Sequence, residues 1–90
     1  MQILTSQLYE KQLKEILVLI MKHDFTAAQN FKTYLDTIIL NIPTKEKKYK
    51  KSLYFDDENI KDVLFQGCII IFYSDKQKDT FYILGITTKG

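Results

Sequence analysis

Arginine is absent from this chain: all thirteen of its basic residues are lysines. That removes the planar, bidentate guanidinium that usually reads guanine edges or clamps phosphate, so any anion site here works with point charges. Cysteine is nearly absent too. Cys68 stands alone, which excludes an internal disulfide framework and a zinc cluster of paired cysteines, and suits a reducing cytosol. Long apolar runs are also missing. Ile16 to Met21 is six residues, far short of the roughly 20 needed to span a bilayer. A first strand begins almost at Met1, leaving no room for a signal peptide, and the expectation is a soluble cytoplasmic protein with no membrane partner. Neither sign of charge dominates: thirteen basic against eleven acidic residues leave +2, too balanced for a constitutive DNA-wrapping or strongly polybasic membrane protein.

What is present is the composition of a folding globule. Ninety residues, 46% hydrophobic and 27% charged, provide one domain over residues 1–90 and one core. Gln2 to Thr5 is a short apolar opening, and Thr5-Ser6 offers hydroxyl caps before a helix over Gln7 to Lys22. Tyr9, Leu13, Ile16, Leu17 and Ile20 share one stripe of that helix. Glu10 with Lys14 and Lys11 with Glu15 form i,i+4 pairs on its outer face. Thr26-Ala27-Ala28-Gln29 has the spacing of a capping box. A second helix follows with the stripe Ala27, Ala28, Phe31, Tyr34, Leu35, Ile38 and Ile39, ended by Asn41 and Pro43. Two antiparallel helices joined by a tight turn result.

From Lys45 the pattern changes. Five lysines fall within Lys45 to Lys51, and then come four runs rich in β-branched and aromatic residues: Leu53 to Phe55, Ile60 to Phe65, Cys68 to Tyr73 and Thr80 to Thr87. Asp56 to Asn59, Gln66-Gly67 and Ser74 to Asp79 are polar breaks short enough for hairpins. The order β-α-α-β-β-β(-β) predicts an α+β fold, a helical hairpin packed on one face of an antiparallel sheet. Cys68 to Phe72 is apolar at every position and Phe81 to Ile86 nearly so, whereas an antiparallel strand buried on one face alternates. Two helices blanket only one face, so the other is expected to carry an exposed apolar patch of the kind that marks a partner site.

Several segments together resemble the RelE/ParE superfamily of bacterial type II toxin-antitoxin toxins. They are the lysine-rich stretch into Lys51-Ser52-Leu53-Tyr54-Phe55, the segment Asn59-Ile60-Lys61-Asp62-Val63-Leu64-Phe65-Gln66-Gly67-Cys68, and the closing Thr80-Phe81-Tyr82-Ile83-Leu84-Gly85-Ile86. They are similar to the family's isoleucine-arginine-acid strand, its turn into a tyrosine-arginine strand, and its closing tyrosine-isoleucine-leucine strand. The Leu13 to Leu17 core of the first helix is similar as well, and the resemblance covers essentially the whole chain. It departs at three places: Lys61 stands where the family usually has arginine, Cys68-Ile69 replaces the tyrosine-arginine pair, and Thr87-Thr88-Lys89-Gly90 lacks the basic tail, histidine or tyrosine of many relatives.

The resemblance implies a toxin that inhibits growth, is silenced by a cognate antitoxin laid over its helices and sheet, and acts by one of two modes. One is cleavage of messenger RNA on the ribosome, with a 2′-hydroxyl attacking the next phosphate, which needs a base, cations at the crowded phosphate and an acid. Lys61 and Lys89 are the candidate catalytic residues, and Lys47, Lys48, Lys50 and Lys51 the candidate nucleic-acid contacts. Clustering is expected to depress one lysine's pKa toward that of a base. The other mode is ParE-like obstruction of DNA gyrase without cleavage, and a degenerate, harmless interaction domain is a third reading. No cofactor or metal is expected.

Each candidate also has a purely structural reading. Lys45 to Lys51 reads equally as a solvated edge kept charged against aggregation. His23, beside Asp24, reads as a surface group favouring the helix dipole. Asp56-Asp57-Glu58 reads as an acidic hairpin turn and Cys68 as a small core residue. Tyr54, Tyr73 and Tyr82 either stack on bases or line the core.

Overall fold

The computed structural model describes residues 1–88. Strand β1 (Gln2–Thr5) leads into helices α1 (Gln7–Met21) and α2 (Phe25–Leu40), a short helix α3 (Ile42–Lys45) and a 3₁₀ turn (Glu46–Lys48). Then come β2 (Lys50–Lys51), β3 (Ile60–Phe65), β4 (Cys68–Asp75) and β5 (Thr80–Thr88), in one sheet ordered β1-β5-β4-β3-β2. The fold is the expected α+β arrangement, but the sheet is mixed: β1 pairs with β5 in parallel, while every other pairing is antiparallel. The helices carry the chain from β1 to the opposite edge, and the meander β2 to β5 then returns to it.

Local chemistry sets the boundaries. Ser6 caps α1, its Oγ accepting from Tyr9 N at 2.9 Å and donating to Leu84 O at 2.8 Å, so one hydroxyl starts the helix and ties it to β5. Asp24, not Thr26, caps α2: its carboxylate accepts from Ala27 N at 3.2 Å and the helix begins at Phe25. Aspartate is the stronger cap and sits two residues before the Thr26 of the expected box. Pro43 lies in the first turn of α3, where no amide is needed. Gln66 (φ 46°) and Gly67 (φ 78°) form the two-residue β3–β4 turn, both in the left-handed region such a hairpin requires.

Leu53 to Phe55 is not a strand. The ladder with β3 stops at Ser52, whose N donates to Ile60 O at 2.7 Å. Beyond it the Asp62 carboxylate takes the Leu53 N–H at 3.1 Å and the Ser52 hydroxyl takes that of Tyr54 at 3.1 Å, so side chains satisfy the donors a partner strand would have used. The three side chains face solvent, Leu53 at 91% exposure.

The helices cover one sheet face. Tyr9, Leu13, Phe31, Leu35, Ile39 and Ile42 pack against Val63, Cys68, Ile70, Phe72, Phe81, Ile83 and Ile86 in a single cluster. Complete burial of a side chain such as Phe72, Ile70 or Ile83 stabilises by about 1.5–3 kcal/mol each. The predicted helix stripes face this core, except that Tyr34 points outward. Pleat alternation sends Leu64, Ile71, Tyr73, Tyr82 and Leu84 to the opposite face together with Leu4. Leu4 and Leu64 are exposed there and the other four partly so, while Ile69, which pairs with Leu64 and shares this face, is buried. Tyr73 and Tyr82 stack there, ring centroids 6.1 Å apart.

Candidate nucleic-acid interface

The lysine run sits at the free β2 edge of the sheet and on the turn leading into it. Lys47 and Lys48 end the 3₁₀ turn, and with Lys50 they are exposed. The register of β2 on β3 places Lys50 opposite Asp62 and Lys51 opposite Lys61. Like charges directly across a ladder repel, and each ammonium of that pair is met by acid from its own chain.

Lys61 turns toward the helix layer. Its Nζ donates to Glu46 O at 3.1 Å and lies 3.9 Å from the Glu46 carboxylate, with both side chains only 19% exposed. It is therefore a latch between β3 and the 3₁₀ turn, a partner that no local sequence pattern disclosed because fifteen residues separate the two. Lys51 donates to Asp56 Oδ1 at 2.8 Å and lies 3.9 Å from Glu58. The hydrogen bond to Asp56, followed by that carboxylate's field, raises the Lys51 pKa and lowers that of Asp56. At Lys51 this is the opposite of the depression that clustering leads one to expect, because the nearby acids outweigh the neighbouring cations. Lys47, Lys48, Lys50 and Lys51 thus fall along the free edge and Lys61 on the strand inside it, with Lys51 and Lys61 engaged, while Lys89 lies outside the described residues.

The remaining candidates separate cleanly. Asp57 Oδ1 accepts from Asn59 N at 2.8 Å and Asp57 O from Ile60 N at 3.1 Å, which makes the acidic segment a turn into β3. Asp62 spends one carboxylate oxygen on Leu53 N and leaves the other buried without a partner. His23 is exposed just after α1. Cys68 is buried, and burial pushes its thiol pKa up, the reverse of an activated nucleophile. Tyr54 stands on the exposed loop, whereas Tyr73 and Tyr82 lie on the uncovered sheet face, so none of the three is in the core. Among the described residues no three metal-ligating side chains gather, and no helix is long and apolar enough to cross a membrane.

The architecture is shared with a solved protein. The solution structure of the conserved hypothetical protein HP0892 from Helicobacter pylori superposes with a TM-score of 0.62 at 19% sequence identity, covering 98% of this chain and 93% of that one. At that identity the likeness is one of fold. No family model matches the chain, and no curated protein matches it in sequence.

Proposed function

We propose that this chain is the toxin of a type II toxin-antitoxin pair, acting in the cytoplasm on ribosome-bound messenger RNA and held silent by a cognate antitoxin. The observation that carries the reading is the sheet face of Leu4, Leu64, Ile71, Tyr73, Tyr82 and Leu84, left open by helices that cover only the other side. In a fold whose motifs resemble RelE/ParE toxins, such a face suits a second polypeptide. Lys47, Lys48 and Lys50, exposed along one edge, supply phosphate contacts. Lys61 and Lys89 carry the catalytic charge in this reading, and Lys61 acts after exchanging its Glu46 contact for a phosphate.

One observation favours the second mode, gyrase inhibition without cleavage: Lys51 and Lys61 are both engaged by acids of the same chain, which disfavours either as a free base. The purified chain, added in parallel to a translation reaction and to a gyrase supercoiling reaction, separates the readings. Message fragments ending in 2′,3′-cyclic phosphate are the expected result, and Lys61→Ala is expected to suppress them with the circular dichroism spectrum unchanged. Loss of supercoiling with intact message assigns the gyrase mode. Inhibition of neither reaction overturns the toxin reading in favour of a harmless interaction domain.

A further inference from the structure

The edge lysines are not all equally available, and what covers Lys51 is chemically informative. Its ammonium is met by Asp56 at 2.8 Å and Glu58 at 3.9 Å. Those two side chains are 101% and 87% exposed, and they form no other hydrogen bond or ion pair among the described residues. Asp57, between them, holds the turn through Asn59 N, so the fold uses one acid of the three and leaves its neighbours free to reach the lysine. The Lys61–Glu46 pair is far less exposed, so it gives way to a competing anion less readily than the acids on Lys51.

We infer that Asp56 and Glu58 form an intramolecular mask over Lys51, occupying in the free protein the place of a backbone phosphate of single-stranded RNA. The inference rests on the reading that this edge contacts nucleic acid. A carboxylate offers the same charge sign and the same acceptor chemistry as a phosphate oxygen. An exposed pair of this kind is weak and salt-screened, so it yields readily to a competing anion. A lone small anion gains little by the exchange. A strand that already engages Lys47, Lys48 and Lys50 brings its next phosphate to Lys51 at high local concentration and displaces the mask. Masking therefore favours polyanions over monoanions, and it quiets the like-charge pair of Lys51 and Lys61 while the site is empty.

The test is fluorescence anisotropy of a labelled single-stranded RNA oligonucleotide titrated with the intact chain and with D56N/E58Q. Both acids are changed together because Glu58 stands ready to replace Asp56. The charge-matched control is E15Q/D36N, whose acids lie on α1 and α2 and which releases Lys32 from Asp36, so it also tests whether freeing a lysine away from the edge has the same effect. D56N/E58Q is expected to bind about threefold to fivefold more tightly at low salt. Its plot of log affinity against log salt is expected to steepen by at most about 0.7, because Lys51 neutralises the same phosphate in both chains but only the variant does so without setting carboxylates free to take up cations. E15Q/D36N is expected to leave the slope unchanged, and adding K51A to D56N/E58Q to abolish the gain. Equal gains in both double variants, no gain in either, or a gain that survives K51A would overturn the mask. Inhibition of translation or of gyrase is scored separately, so a masked chain that inhibits neither removes the toxin reading while the mask stands.

Discussion

Tyr9 and Cys68 show how burial sets the behaviour of single groups. Burial first, then the fields of Asp36 and Glu10, push the Tyr9 phenol pKa well above its ordinary range. Burial does the same to the Cys68 thiol. A raised pKa in the folded state means that the neutral form is the one the fold accommodates. The associated stability is complete below the unfolded pKa and is lost as pH climbs through it toward the folded value. Melting temperature is accordingly expected to fall above about pH 8.5 to 10, where an unfolded thiol and phenol ionise, and Tyr9→Phe to flatten the upper part of that fall. Iodoacetamide is expected to label Cys68 only on unfolding, as mass spectrometry of native and denatured protein would show. Sequence alone placed Cys68 in the core, because a cysteine among Ile69, Ile70 and Ile71 has no polar surroundings to draw it out.

Among the elements, those with repeating patterns were legible and those governed by one distant contact were not. β3 runs over Ile60–Phe65 as its composition predicts, Gln66-Gly67 turns as that pair should, and the α1 stripe faces the core from Tyr9 to Ile20. Leu53 to Phe55 has the composition of a strand and is a loop, because β-propensity records fit to a pleated surface and the Asp62 carboxylate removes the surface. The bulge in β5 belongs with it: Ile71 pairs with Gly85 and Phe72 with Ile83, so Leu84 is the extra residue. Gln12 Oε1 reaches into this bulge to accept from Ile86 N at 3.0 Å. A Cβ on Gly85 would lie 2.8 Å from that oxygen. Gly85→Ala is thus expected to displace Gln12, orphan the Ile86 amide and cost about 1–3 kcal/mol in a urea titration. In a Gln12→Ala background the same change is expected to cost much less.

For the whole molecule the decisive asymmetry is between the two faces of one sheet. The uniform apolarity of Cys68 to Phe72 announced it, since the helices of a chain this short cover a single side, and the uncovered tyrosine pair is its visible form. The candidate site was legible only in part. The lysine run marks the edge it occupies, but Asp56 and Glu58, the acids that engage Lys51, come from the turn beyond it, and Glu46, within the run, is taken up by Lys61 fifteen residues further on. Leu64→Glu, at a position 67% exposed on the open face, is expected to change stability by no more than about 0.5 kcal/mol. The same variant is expected to weaken capture by a neutralising partner, as pull-down of the folded protein would register. Beneath that prediction lies the proposal that the free chain is a poison. Its most direct measurement is the growth of a bacterial host, without any antitoxin, after induction of the intact chain: arrest while folded protein accumulates is predicted, and undiminished growth at the same protein level would contradict it.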